Sequence, residues 1–489
     1  MYVPADAILK SIRTELAPLL GADNTEASTS QGITAALGIL FAREAGGAAL
    51  LQDRLRALET IVAKLAGNDL SYRPLLTEIR SVRSLNAQST LEEVWNTLIR
   101  QFEALAAQHV NAPGAKGNKE LALALCAWEV ADRNRVITPH YGASEALDTS
   151  LTAPRFEAYL QERFSEPGLR VQNFRQISGG FGKETFILEV QGKALEGDIV
   201  IRRDPLVGTV DNDCHYVRIE YPVIRAAYAR GFPAPDAIWV DTEHKLLPGG
   251  DFMVMRRASG VTGGNVFGAT TALSEDLVEV LASSVARLHT LPPLLELGDL
   301  TESIRSDSWS MSMADNMHRY VRNWFDIYLS EVHNPSPALV SLFGWMLDNV
   351  PAAPAPGAML HGDIGFHNML IDNGKLTALV DWEFAHVGDP AEDLGAVRNT
   401  ARYPWEMFMR HYQAAGGPAI DPERLHYYRI WQHVRNAAAS NVCMGRFARR
   451  QLSDLKLVYT GHYHFPLFIK AASDLLAAGP EGDAGHVAY

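Results

Sequence analysis

The sequence predicts an α+β fold in which an all-helical first third precedes a β-rich stretch and a second, longer helical region. Three observations carry that expectation. Hydrophobic stripes at helical spacing recur up to about residue 145, five short β-prone runs cluster after residue 150 around a single helix, and helical periodicity returns from Ser274 onward.

The first helix is expected to start at Asp6 as N-cap, with Ile8, Ile12, Leu16, Leu19 and Leu20 on one face before Gly21. Leu51, Leu55, Leu58, Val62 and Leu65 make a second stripe, and Leu91, Val94, Trp95, Leu98 and Phe102 a third. The segment ITPHYGASEALDTSLTAP (137–154) breaks the period with Pro, Gly, Ser and Thr and reads as a connector, with a boundary near residue 150. VQNFRQI, TFILEV, DIVIRRD, DAIWVD and DFMVMRR then read as strands. A helix from about Cys214 to Arg230 lies between the third and fourth. Ser274 caps a helix striped by Leu277, Val280, Leu281, Val285 and Leu288. Two short strands follow, at 369–372 and 376–381, and Asp421 with Pro422 opens a helix that runs at least to Met444. PAAPAPGA (351–358) is a stiff extended segment by composition.

Composition narrows the function classes. The chain has 489 residues, enough for two or three domains, with 47% AVILMFWYC residues and 21% charged residues, the proportions of a folded globular protein. A formal net charge of −13 supplies no basic field for nucleic acid or an anionic membrane. The longest apolar stretch, GITAALGILFA (32–42), is too short to span a bilayer, and the first residues lack a secretory pattern. Cys126, Cys214 and Cys443 have no metal-ligand spacing, and a reducing cytoplasmic compartment is expected.

The chemistry concentrates in HGDIGFHNML (361–370) and LTALVDWEF (376–384), which place Asp363, Asn368 and Asp381 around the two short strands. Singly, an Asp after Gly is a turn residue. Together, acid, amide and acid form a hard-oxygen set of the kind phosphoryl transfer requires: a carboxylate for the attacking hydroxyl and oxygen ligands for Mg²⁺ on nucleotide phosphates. The interval from Asp363 to Asn368 matches the Asp and Asn of a protein-kinase catalytic loop, and Asp381 heads DWE in the place of the metal-binding Asp of DFG. Upstream, Ser178, Gly179, Gly180, Phe181 and Gly182 lie between the first two strands, where backbone N–H groups would cradle phosphate, although a hairpin turn also selects glycine. Gly182-Lys183 is no Walker A motif, because Glu184 replaces its Ser/Thr, and GxGxxG is incomplete. Alternation in the third strand puts Arg202 opposite in facing to Ile201 and Arg203, and Glu220 falls on a mostly apolar helix face. An ion pair between Arg202 and Glu220, with the arginine also gripping phosphates, accounts for both.

HGDIGFHNMLID, LTALVDWEFAHVGDPAEDLG and GFPAPDAIWV resemble the aminoglycoside-phosphotransferase-like superfamily of small-molecule kinases, in the branch similar to the kinase-like region of acyl-CoA dehydrogenase family members. The resemblance runs from about Phe156 to the end of the chain. It implies a two-lobed protein-kinase-like fold, with 151–258 as N-lobe and 259–489 as helical C-lobe, preceded by the all-helical N-terminal domain that the periodicity gives, 1–150 helical accessory domain and connector. It further implies ATP and Mg²⁺ as cofactors, Asp363 as catalytic base, Asn368 and Asp381 as metal ligands, Asp393 as a brace for the catalytic loop, and a structural His361. Many relatives have lysine where Arg202 stands. Gly362 replaces the Arg that receives an activation-loop phosphate in protein kinases, and GDPAEDLG follows DWE with no room for an activation segment.

The expected function is phosphorylation of a hydroxyl on a small organic molecule, preferably a hydroxyacyl-CoA or apolar alcohol. An aminoglycoside-type antibiotic phosphotransferase and a catalytically silent nucleotide-binding scaffold are the alternatives. Arg256, Arg257, Arg446, Arg449 and Arg450 are candidates to meet the anionic CoA. The partner expected is the acceptor itself, with neither nucleic acid nor membrane; a homo-oligomer is compatible with the sequence. His462 and His464 lack further ligands for zinc and read as a polar loop. His289 reads as a cation at a helix end. Tyr427, Tyr428 and Trp431 read as core.

Overall fold

In this computed structural model the described residues are 27–85, 88–111, 119–133, 151–177, 182–206, 208, 210, 216–263, 274–292, 310–352, 357–449, 451–452 and 454–480. The helix expected from Asp6, most of the connector before residue 150, Ser178, Gly179, Gly180, Phe181, Cys214 and Arg450 lie outside them.

The N-terminal region consists of α1 (Ala27–Asn68), α2 (Arg73–Ser81), α3 (Gln88–Asn111) and α4 (Lys119–Arg133). Helix α1 breaks at Gly47, whose φ of 46° is left-handed and suits a residue without Cβ. The expected stripes on α1 and α3 bury Leu51, Leu55, Leu58, Val62, Leu91, Trp95, Leu98 and Phe102. They form one core with the C-terminal helices, joined to Tyr328, Leu339, Leu342, Phe343 and Leu475.

Helix α5 (Ala153–Arg163) begins inside the stretch read as connector, with Pro154 in its first turn, where a missing N–H costs nothing. A five-stranded antiparallel sheet follows: β1 (Arg170–Ile177), β2 (Glu184–Gln191), β3 (Gly197–Arg203), then α6 (Val217–Ala229), β4 (Ala237–Asp241) and β5 (Phe252–Arg256), in the spatial order β1-β2-β3-β5-β4. This is the expected succession of three strands, a helix and two strands. Helix α6 starts at Val217, where the buried Asp204 carboxylate accepts the Val217 N–H at 3.1 Å. Alternation on β3 buries Ile199, Ile201 and Arg203 on one face and sends Arg202 to the other.

The chain continues through β6 (Val261–Thr262), α7 (Glu275–His289), α8 (Met313–Glu331), α9 (Pro337–Asp348), β7 (Ala358–Leu360), β8 (Met369–Asp372), β9 (Lys375–Leu379) and β10 (His386–Gly388). It ends with α10 (Ala391–Thr400), α11 (Trp405–Ala414), α12 (Pro422–Ala448), α13 (Leu455–Tyr459) and α14 (Phe465–Ala478). Ser274 and Asp421 cap α7 and α12 as expected, accepting from Leu277 N and Arg424 N. The β7–β10 ladder and the two-residue β6 are additions to the expected strands, too short to show an alternating pattern. Together with the β8–β9 hairpin they position the loops that carry Asp363 and Asp381.

Two other expectations change. GHYHF is helical, a π-turn over Thr460–His464 between α13 and α14, with His464 buried against Tyr459 and Phe468. Among the described residues no group of three His, Cys, Asp or Glu is placed to hold a metal. His289 faces inward rather than toward terminal carbonyls, with Nδ1 at 2.8 Å from the Tyr412 hydroxyl. Tyr427, Tyr428 and Trp431 are core, as expected. No helix among the described residues is long and apolar enough to cross a membrane.

Candidate active site

The loop between β7 and β8 is held from beneath by Asp393. One carboxylate oxygen accepts the His361 N–H at 2.9 Å and the other the Gly362 N–H at 2.8 Å, while His289 Nε2 lies 3.2 Å from the first. Burial alone would raise the Asp393 carboxyl, but His289, His361 and these backbone donors outweigh it and hold it low. His361 is buried, its Nε2 3.0 Å from the Val380 carbonyl, so it ties this loop to the strand leading into Asp381. Gly362 has φ 78°, and a Cβ there would meet the Phe384 backbone oxygen and, at 2.7 Å, the Phe384 Cβ. The glycine therefore allows the Asp363 loop and the Asp381 loop to lie in contact.

Asp363 and Asn368 come together as their spacing predicts. The Asn368 amide donates to the Asp363 carbonyl at 2.8 Å and to its carboxylate at 3.2 Å, which leaves the amide carbonyl oxygen for another partner. His367, which the sequence reading passed over, stands 3.4 Å from the same carboxylate. Burial pushes the Asp363 carboxyl up, but His367, Arg435 and His361 together bring it down to about 2. The group is a carboxylate at neutral pH, as a hydroxyl-orienting base must be.

The second loop faces it. Asp381 adopts φ 69°, an uncommon conformation for a residue other than glycine, which turns its carboxylate toward the N-lobe. Arg202 of β3 binds that carboxylate directly and donates through Nε to Glu220 at 3.0 Å. The other Glu220 oxygen accepts the Trp382 N–H at 3.0 Å. Glu220, 1% exposed, thus links β3, α6 and the Asp381 loop. The expected Arg202–Glu220 pair is present, and burial raises the Glu220 carboxyl despite Arg202. Asp381 is likewise raised, by burial and by its neighbours Glu383 and Asp363 against the pull of Arg202. Such crowding of carboxylates favours additional positive charge at this spot.

Two further residues were not assigned from the sequence. Glu383 lies 3.6 Å from Arg202 and 3.4 Å from Lys183, and Lys183 also pairs with Asp204 at 3.1 Å. The signals were available: Lys183 directly follows the glycine run and Glu383 belongs to DWE. Of the candidate phosphate cradle, only Gly182 is among the described residues, and it is buried at the tip of the β1–β2 hairpin. Most of the basic residues considered for CoA are engaged. Arg256 donates to the Glu196 carbonyl, Arg257 pairs with Asp198 at 2.9 Å, and Arg446 and Arg449 both bind Glu331.

The sequence profile of the phosphotransferase enzyme family matches residues 173–428, more than half of the chain, and the chain belongs to that family. It is 25% identical over 287 residues to acyl-CoA dehydrogenase family member 11 of Homo sapiens, a match covering 58% of this chain and 32% of the relative. Against hygromycin-B 4-O-kinase of Escherichia coli it is 23% identical over 287 residues, covering 55% of this chain and 75% of the relative. The chain thus spans about a third of the length of the acyl-CoA dehydrogenase family relatives. A Ralstonia eutropha protein of known structure, classed with the aminoglycoside phosphotransferases, superposes with a TM-score of 0.50 at 17% identity. That match covers 67% of this chain and 99% of the other, and it supports the two-lobed kinase-like fold.

Proposed function

We propose that the protein transfers the γ-phosphoryl group of ATP, with Mg²⁺, to a hydroxyl of a small organic molecule. The observation that carries this reading is the meeting of the Asp363–Asn368 loop and Asp381 with Arg202 and Glu220 of the N-lobe at one inter-lobe site. Asp363, ionised and held by Asn368 and His367, would orient the acceptor hydroxyl and take its proton. The Asn368 carbonyl oxygen and the Asp381 carboxylate suit a hard cation that completes its shell with phosphate oxygens and water. Mg²⁺ held there would supply neutralising charge for the phosphates, and Arg202, next to Asp381, would be placed to grip a phosphate oxygen with its guanidinium.

For the acceptor we favour a hydroxyacyl-CoA or comparable apolar alcohol over an aminoglycoside. Its support is the similarity to acyl-CoA dehydrogenase family proteins; the occupied state of Arg257, Arg446 and Arg449 counts against a CoA-phosphate clamp built from them. The similarity to hygromycin-B 4-O-kinase supports the antibiotic alternative. ATP consumption measured with a hydroxyacyl-CoA panel beside hygromycin- and kanamycin-type compounds, with and without Mg²⁺, decides between them. Turnover of the antibiotics alone overturns the acceptor choice, and Mg²⁺-independent or absent turnover overturns the kinase reading.

A further inference from the structure

We infer that Lys183 is a second phosphate-binding cation of the nucleotide site, working beside Arg202 at the tip of the β1–β2 hairpin. The inference rests on the phosphotransferase reading and adds a ligand group to it. The register places Thr185 of β2 opposite Arg202 of β3, so the two point to the same face of the sheet. Lys183 stands two residues before Thr185, at the hairpin tip, and its amine reaches the same Glu383 carboxylate oxygen that Arg202 approaches, at 3.4 Å against 3.6 Å. The two cations therefore flank one carboxylate of the DWE loop, two residues beyond Asp381.

A lysine side chain only 4% exposed is an expensive way to join two lobes, because a well-packed apolar residue does the same without desolvating a charge. Charge balance gives the burial a purpose. Lys183 and Arg202 face Asp204, Glu220, Asp381 and Glu383, so the cluster is acidic by two charges before any ligand enters. A divalent cation held by Asp381 would offset that excess. Lys183 and Arg202 would then be left to meet the negative charge of the nucleotide phosphates. A flexible ammonium at the hairpin tip suits this task as a point charge. The β3 position, filled here by arginine, need not carry the phosphates alone.

The test is calorimetric titration of wild type, Lys183→Met, Lys183→Gln and Lys183→Arg with Mg²⁺–ATP, Mg²⁺–ADP and adenosine. Removing one charge-assisted contact is expected to weaken Mg²⁺–ATP by about ten- to a hundred-fold in the Met and Gln variants. Adenosine affinity should stay unchanged, and Lys183→Arg should recover most of the loss. Wild-type affinity for Mg²⁺–ATP in folded Met or Gln variants overturns the inference while leaving the kinase reading intact. So does an equal loss for ATP and adenosine, which would mark Lys183 as a lobe tie. Wild type that binds no nucleotide overturns both. Should the variants fail to fold, wild-type protein treated with an acyl phosphate of ATP answers the question. That reagent acylates an amine beside the bound phosphates and releases ATP. Label on Lys183 that excess ATP suppresses is expected, and label only on other lysines overturns the assignment.

Discussion

Asp363 is distinguished from the other acids of the site by what touches it. His367, Arg435 and His361 favour its ionised form, whereas Asp381 and Glu220 are pushed the other way by burial and by neighbouring carboxylates. Asp363→Asn should therefore keep Mg²⁺–ATP affinity, measured by calorimetry, while turnover falls by about two to four orders of magnitude, the contribution of a general base. Asp381→Ala should instead abolish the Mg²⁺ dependence of nucleotide binding, since a hard cation loses its charged ligand. Buried histidine makes a separate prediction about stability. His433 on α12 is fully buried, and burial followed by the nearby Arg429 lowers its pKa to about 3. The folded state keeps it neutral, while the unfolded chain protonates it below its ordinary value of about 6.5, so stability falls as pH drops through the window between those values. Between about pH 7 and about pH 5 this one group should cost about 2 kcal/mol, and denaturant titrations of His433→Gln should show a loss smaller by that amount.

At the scale of elements, the site is two loops held in contact, and glycine and carboxylate caps do the holding. Gly362→Ala combines a left-handed φ with a clash against the backbone of Phe384, so it should destabilise the fold by about 1–3 kcal/mol in thermal unfolding. Turnover should fall more than that loss of stability explains, because the Asp363 and Asp381 loops must separate to admit the methyl group. The elements that the sequence made legible are those with enough length to show a period: the five N-lobe strands, α6, α7 and α12. Asp363, Asn368 and Asp381 were legible through spacing, and the Arg202–Glu220 pair through facing, since a carboxylate on an apolar stripe demands a partner. What escaped was decided by neighbours distant in sequence. His289 appeared to be a helix-end cation because only the fold brings Asp393 and Tyr412 to its ring. Lys183 and Glu383 adjoin legible motifs, the glycine run and DWE, but their contact with each other exists only in the fold, which brings those two segments together. The helical character of GHYHF depends on packing of Gly461 against Met444 and of His464 against Phe468.

Across the whole molecule, the N-terminal helices are part of the C-lobe's core rather than a body beside it. Gly344 of α9 lies so close to α3 that an added Cβ would sit 2.9 Å from a Val110 methyl. Two buried acids from the N-terminal helices reach the start of α9: Glu129 accepts the Ser336 hydroxyl at 2.6 Å, and Glu103 accepts the Ser336 N–H at 2.9 Å and the Tyr328 hydroxyl. Ser336 is itself the N-cap of α9, so these carboxylates also lie where the helix dipole favours negative charge. A further contact joins the lobes from the other side, where Arg446 of α12 donates to the Gly208 carbonyl and Val210 enters the C-lobe core. Apolar stripes of its own in the first third and a connector after it, read from the sequence by themselves, would leave a chain beginning near Thr152 able to fold alone. The shared core reverses that expectation. Truncation at Thr152 would uncover the buried side of α9 around Gly344, where Val110 packs, and strip the buried Tyr328 hydroxyl of its carboxylate partner. The truncated chain should aggregate, or elute with bound chaperone in size-exclusion chromatography. Co-expressing residues 1–151 as a separate chain should restore a soluble complex that binds Mg²⁺–ATP. A truncated chain that is monomeric and binds nucleotide unaided would show that the helices are dispensable to the C-lobe.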